Sequence, residues 1–259
     1  MLLAVDAGNS HTVLGLFAGP DLARHWRLAS EPRQTGDELA VTLAGLLSLA
    51  GLAASDLDGM VVASVVPALE KGWRQVARTL LGQEALVVGD PDCRLGMPIR
   101  LARPGQVGPD RLVNALAAYH RCRQAVVVVD FGTATTFDCV AADGAFLGGA
   151  IVPGVGLGLA ALAEKTARLP RVDLEEPPAA AIGTDPGAAI RSGVVFGYAS
   201  LVDGLVARLA GEMAPPAPRV LATGGWAATI APHAACIEAV YPHLTLEGLA
   251  RIHATASRR

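Results

Sequence analysis

"VDAGNS" at Val5–Ser10 and "VDFGTA" at Val129–Ala134 stand 124 residues apart, each directly behind a short apolar run. The first copy continues "HTVLGLF" and the second "TTFDCVA", so each Asp-x-Gly turn leads into another β-rich stretch. An aspartate at a strand end presents a carboxylate for a metal. The glycine after it lets backbone N–H groups approach phosphate oxygens with no Cβ in the way. Asp-x-Gly alone is also an ordinary turn signal; its recurrence in matching contexts, at half the chain length, is what a duplicated α/β fold would write. Facing copies of such a turn would form a two-sided phosphate clamp, to which Ser10, Thr12, Thr133 and Thr135 would add hydroxyls.

Reading outward, "LARHWRLA" predicts a strand, Gly36–Ala50 a helix, Gly59–Ser64 a buried strand, Pro67 to about Leu81 a helix and Ala85–Val88 a strand. Pro98–Gln106 is a polar connection. Pro109–Cys122 is helical, with Leu112, Leu116 and Tyr119 on one face. "AVVVVDF" is a near-continuous apolar run, the mark of a strand covered on both faces. Ala145–Ile151 predicts a strand, Gly158–Leu169 a helix and Asp185–Glu212 a long helix or helix pair. Ala214–Pro218 reads as a rigid loop, Pro218–Gly225 as a strand with a glycine turn, and Leu246–Ala254 as a closing helix. Two similar lobes, residues 1–107 and 108–259, are expected.

Composition narrows the function. With 259 residues, 52% hydrophobic, 17% charged and a net charge of -3, the chain can bury a large core and has no basic stripe for nucleic acid. Cys93, Cys122, Cys139 and Cys236 lack C-x-x-C spacing, so neither a zinc site nor a disulfide framework is implied and a reducing cytoplasm is expected. Leu39–Ser55 is slightly short for a membrane span, and the glycines and Pro153 in Ala145–Ala163 would break the backbone bonding that lipid demands. Neither a signal peptide nor a membrane partner is expected.

Rival nucleotide motifs fail. Glu164-Lys165-Thr166 lacks the glycines of a Walker loop, and "PGVGLGLA" has Leu159 where G-x-G-x-x-G needs glycine. A second site is suggested by Gly108-Pro109-Asp110-Arg111 at the start of a helix, where unpaired N–H groups favour anions. There Asp110 would serve as base for a hydroxyl nucleophile and Arg111 would grip a phosphate or carboxylate; a helix cap beside a surface arginine is the competing reading.

Taken in order, these motifs resemble the type III pantothenate kinases over nearly the whole chain. The matching marks are "DAGNSHTV" (Asp6–Val13), "TGDEL" (Thr35–Leu39), "SVVP" (Ser64–Pro67), "GPDR" (Gly108–Arg111) and "DFGTATTFD" (Asp130–Asp138). "GGAIVPG" (Gly148–Gly154), "TARLP" (Thr166–Pro170), "SGVVFG" (Ser192–Gly197), "TGG" (Thr223–Gly225) and "LTLEGL" (Leu244–Leu249) follow. The resemblance implies an actin-like, ribonuclease-H-like fold of the ASKHA superfamily, with two lobes of mixed sheet flanked by helices. It implies ATP-dependent phosphorylation of pantothenate to 4'-phosphopantothenate, the opening step of coenzyme A synthesis, by a homodimer.

Carried over by residue, Asp6, Ala7, Gly8, Asn9, Ser10, His11, Thr12 and Val13 form the first phosphate loop, with Asp6 addressing Mg2+ through ATP. Thr133 is a further ATP contact, and Asp130 a ligand for a monovalent cation, K+ or NH4+. Gly108, Pro109, Asp110 and Arg111 bind pantothenate, with Asp110 as proton acceptor. Two positions depart: Leu101 stands where the family has a tyrosine that contacts pantothenate, and Pro186 where it has a threonine. Thr184, Arg100 and Arg103 are near enough in sequence to compensate. A kinase for another small hydroxylated metabolite, or a non-catalytic nucleotide-binding regulator on the same fold, remain alternatives. Trp226, just after the TGG turn, is the tryptophan expected near nucleotide.

Overall fold

The computed structural model describes residues 1–213 and 215–256; Ala214, in the loop expected at Ala214–Pro218, lies outside the described residues. β1 (Leu2–Ala7), β2 (His11–Ala18), β3 (Asp21–Ala29), β4 (Gly59–Ser64) and β5 (Leu86–Val87) form a sheet in the order β3-β2-β1-β4-β5. The β1–β2 and β2–β3 pairs are antiparallel; β1–β4 and β4–β5 are parallel. β6 (Val126–Phe131), β7 (Ala134–Val140), β8 (Phe146–Pro153), β9 (Arg219–Thr223) and β10 (Ala239–Val240) form the second sheet, in the order β10-β9-β6-β7-β8. With β6 laid on β1, order and direction repeat strand for strand, the duplication that the repeated turn implied. The run Val126–Val129 is fully buried at the centre of its sheet, as its β-branched composition requires.

In the first sheet's core, α1 (Gly36–Leu49) buries Leu39, Leu43 and Leu47 at helical spacing, and α2 (Pro67–Val76) buries Leu69, Trp73 and Val76. Leu3, Val5, Leu14 and Leu16 meet them from the strands. "TGDEL" is a helix start: Thr35 accepts from the Glu38 N–H, and the Glu38 carboxylate accepts from the Thr35 N–H at 2.7 Å. Thr35→Ala is therefore expected to cost about 1 kcal/mol of stability and to leave both substrate KM values unchanged; a thermal melt beside steady-state kinetics checks it. The helix predicted to reach Leu81 ends at Val76. A single π turn, Ala77–Leu81, follows, and Gly82 stops it at φ +66°.

The second core is built on α5 (Pro186–Glu212), which buries Val194, Val195, Ala199, Val202 and Val206 against Phe131, Phe137 and Val220. The sequence left open one helix or two; it is one. Among the described residues it is the helix long and apolar enough to cross a membrane, yet these valines give it a packed face in the sheet's core. α4 (Val155–Lys165) and α6 (Ala227–Ile230) complete this side. The four cysteines form no disulfide.

The chain divides into two compact units. One comprises residues 1–96, 103–117 and 245 onward; the other comprises 97–102 and 118–244. This differs from one cut at 107/108, and long-range contacts explain why. α3 (Pro109–Cys122) begins in the first unit, and α7 (Leu244–Ala256) returns to it. Thr245 Oγ1 donates to Asn114 Oδ1 at 2.7 Å. Gly248 lacks the Cβ that would sit 2.6 Å from Val113 Cγ1, while Leu246 and His253 lie against Gly15 and Gly59.

Candidate active site

In the first unit, Asp6 lies at the end of β1, between Val13 of β2 and Ala63 of β4. The Gly8 N–H donates to the His11 carbonyl at 3.0 Å and closes the turn. Asn9, Ser10 and His11 are exposed at its tip, while the side chains of Ala7 and Thr12 are buried. Arg27 Nη2 lies 3.0 Å from His11 Nδ1. Guanidinium only donates, so Nδ1 accepts. Partial burial first, and the Arg27 charge second, pull the His11 pKa down and favour its neutral form.

The turn after β4 links this loop to the "GPDR" segment. The Val65 N–H donates to the Ala7 carbonyl at 3.1 Å, and Ser64 Oγ accepts from the Val66 N–H at 3.1 Å. Gly108 packs beside Val65: a Cβ on Gly108 would be 3.6 Å from Val65 Cγ1 and only 2.5 Å from Asp110 Oδ1. Glycine at 108 thus gives the Asp110 carboxylate its space. Asp110 occupies the first turn of α3, is partly buried, and accepts from the Arg111 N–H at 2.9 Å. Desolvation dominates and pushes its pKa above the usual carboxylate range; the Arg111 N–H and charge oppose this less strongly. A carboxylate held on a helix N-terminus, with its proton affinity raised, is suited to accept a proton from a hydroxyl.

In the second unit, Asp130 ends β6 and pairs with Thr136 and Thr223. The Gly132 N–H donates to the Ala134 carbonyl at 3.1 Å, the counterpart of the Gly8–His11 bond. Ala7 pairs with Thr12 but Phe131 with Thr135, so the first turn is one residue longer. Thr133 is exposed at the tip. Gly224, at φ +91°, lies against Asp130: its Cβ would stand 2.4 Å from Asp130 Oδ1 and 2.6 Å from the Phe131 carbonyl carbon. The Trp226 N–H donates to the Phe131 carbonyl at 3.3 Å, and its indole borders Gly156. Trp226 thus sits beside the second turn. A carboxylate beside a Cβ-free turn suits a hard cation with oxygen ligands. Among the described residues no cluster of three or more His, Cys, Asp or Glu could hold a metal ion.

The two departures also lie in the second unit. Ile99 bridges to Phe146, and the Arg100 N–H donates to the Phe146 carbonyl at 2.9 Å, so residues 97–102 run along β8. Leu101 covers Gly148, whose Cβ would be 3.1 Å from Leu101 Cδ2, and Arg100 is engaged by Asp143. Pro186 is the first residue of α5; Asp185 caps that helix, accepting from the Ala188 N–H at 2.9 Å. Proline suits this position because its missing N–H has no helical partner anyway. Sequence reasoning quoted "SVVP" and "TGG" as family marks without roles; the bonds of Ser64 and Val65 and the close approach of Gly224 supply them. A cleft of about 160 Å³ lined by Leu159, Glu164 and Arg171 includes none of the candidate residues.

The model for the family described as type III pantothenate kinase matches residues 2–208. A type III pantothenate kinase of Anaeromyxobacter sp. (strain K) is 47% identical over 253 residues, 98% of each chain. One from Moorella thermoacetica is 45% identical over 249 residues, covering 96% of this chain and 97% of its own. Among solved structures, a conserved putative Baf family transcriptional activator from Campylobacter jejuni superposes with a TM-score of 0.62 at 17% identity, covering 99% of this chain and 100% of its own. Component A of (R)-2-hydroxyglutaryl-CoA dehydratase from Acidaminococcus fermentans gives 0.58 at 15% identity, with 99% and 98% covered. At those identities the structures speak for the fold alone, and they bear out the actin-like class. The sequence relatives, aligned end to end, show that this chain belongs to the type III pantothenate kinase family.

Proposed function

We propose that the chain transfers the γ-phosphoryl group of ATP to the primary hydroxyl of pantothenate, giving 4'-phosphopantothenate at the entry to coenzyme A synthesis. The observation that carries this reading is Asp110, a partly desolvated carboxylate whose segment is packed through Val65 onto the turn that bonds the first loop. Phosphoryl transfer asks mostly for positioning and charge neutralisation. An alcohol is too weak an acid to ionise beforehand, so an Asp110 carboxylate oxygen accepts its proton as the O–P bond forms. Arg111 holds the substrate's anionic group, with Gly108 and Pro109 shaping the segment.

Backbone N–H groups of Gly8–His11, with Asn9 and Ser10 exposed at the tip, and the Thr133 turn serve the nucleotide phosphates. Asp6 is the carboxylate to hold Mg2+ carried by ATP, and Asp130 the one for a monovalent cation, K+ or NH4+. When bound, these ions supply charge neutralisation at the phosphates. The active form is a cytoplasmic homodimer in this reading; the exposure of Ile151 (60%) and Leu157 (52%) on the second unit supports self-association.

Coupled ADP release with Mg-ATP and K+, with and without pantothenate, tests the function. Pantothenate-dependent turnover is expected, with a raised KM for pantothenate because a phenol and a hydroxyl are absent at 101 and 186. Leu101→Tyr is expected to lower that KM about fivefold, one hydrogen bond's worth, with KM for ATP unchanged. Stimulation by other alcohols but not by pantothenate would move the substrate assignment. ATP binding without turnover under any acceptor would make the chain a regulator.

A further inference from the structure

The internal duplication sets the two turns in equivalent places, and the residue after the third strand holds each of them differently. In the first unit, Ser30 directly follows β3; in the second, Gly154 directly follows β8, the equivalent strand. Both reach back to their own Asp-x-Gly turn. Ser30 Oγ donates to the Gly8 carbonyl at 2.6 Å, and the Ser30 N–H donates to the Ser10 carbonyl at 3.0 Å. Thr12 Oγ1, 3% exposed, lies 2.9 Å from Ser30 Oγ. Because the single Ser30 hydroxyl proton is spent on Gly8, Thr12 is the donor in that pair. The result is a relay from Thr12 to Ser30 to the Gly8 carbonyl.

Gly154 holds its turn by close approach instead. A Cβ there would stand 2.1 Å from the Thr133 carbonyl oxygen and 2.6 Å from that of Gly132. Thr135, the counterpart of Thr12, is fully buried, and its hydroxyl has no hydrogen-bond partner. The second turn is thus held by close backbone packing, and the longer first turn is tied to Ser30 through both its hydroxyl and its N–H.

A trans peptide is planar, so its C=O and N–H point to opposite sides. With the Gly8 and Ser10 carbonyls drawn toward Ser30, the N–H groups of Asn9 and His11 are directed away from it, as a phosphate cradle requires. We propose that Ser30 is a positioning residue for ATP, acting through the Gly8–His11 turn. This rests on the reading of Asp6–Val13 as a phosphate loop.

The test is steady-state kinetics of the full chain, with KM for ATP and for pantothenate measured separately. Ser30→Ala is expected to raise KM for ATP about tenfold and to leave KM for pantothenate within about twofold. Ser30→Thr, which keeps the hydroxyl, is expected to restore it, and Ser30→Cys, a weaker donor of similar size, to fall between. Should the alanine variant not fold, the threonine and cysteine pair carries the same comparison. A lowered Tm with unchanged KM for ATP, or an equal rise in both KM values, would overturn the proposal. Asp6→Asn, run alongside, separates the two readings. If it weakens ATP use while Ser30→Ala does not, only the Ser30 role falls; if neither changes ATP use, the loop assignment falls with it.

Discussion

Asp110→Asn is expected to reduce kcat by between about a hundredfold and ten-thousandfold, the range that removal of a general base produces, while KM for ATP stays close to that of the parent. Asparagine keeps the carbonyl oxygen that accepts from the Arg111 N–H, so the loss would come from the missing base. Stability should move the other way. Burial raises the Asp110 pKa in the folded chain, so the folded state holds that proton more tightly than the unfolded one, and the ionised carboxylate costs stability at neutral pH. The sign follows. Below the unfolded value of about 3.9 both states are protonated and the cost is absent; it grows as pH rises through the raised folded value. Asp110→Asn should therefore melt higher than the parent at neutral pH, with the gap closing on acidification. The parent should lose kcat/KM on the acid side as Asp110 takes up its proton. Melting curves and pH profiles of both proteins check this. Parental kcat in the Asp110→Asn variant would remove Asp110 from the chemistry.

Gly224→Ala is expected to lower kcat/KM for ATP about a hundredfold or more, the scale associated with a misplacement near 1 Å. Two penalties act together. The φ of +91° lies where L-residues are strained, at roughly 1–2 kcal/mol. The new methyl would also meet Asp130 Oδ1 at 2.4 Å and the Phe131 backbone at 2.6–2.7 Å. Backbone cannot yield as a side-chain tip can, so the carboxylate and the turn after β6 would both shift. Gly156→Ala is the control: its Cβ would meet Trp226 Nε1 at an ordinary 3.6 Å, and near-parental kinetics are expected. Parental kinetics for Gly224→Ala as well would show that the position of Asp130 is not critical for ATP use.

The strand pattern was legible because it is local. Gly59–Ser64 and Val126–Phe131 declare themselves by their apolar runs, and the repeated Asp-x-Gly turn announced two matching sheets before any coordinates. Elements decided by distant contacts were not. The start of α4 was expected at Gly158; the helix begins at Val155, and at Gly158 a Cβ would stand only 3.2 Å from the Tyr198 hydroxyl, a distant contact that no local pattern reveals. The partition of the chain was missed because Thr245 meets Asn114 across 131 residues, a pairing no local period reveals. Site residues with charged side chains stood out, while Ser30 did not. Its link to Gly8 exists only because the β2–β3 register brings position 30 opposite Ser10.

The return of α7 to the first unit also sets an order of assembly. Residues 118–244 form one nearly continuous piece, which can pack as soon as it has been synthesised. The first unit waits longer: until residues 245–256 are made, Gly15, Gly59 and Val113 lack the helix that covers them. The half of the molecule translated first is thus completed last, and a ribosome-bound chain would hold its Gly108–Arg111 segment on an unfinished support.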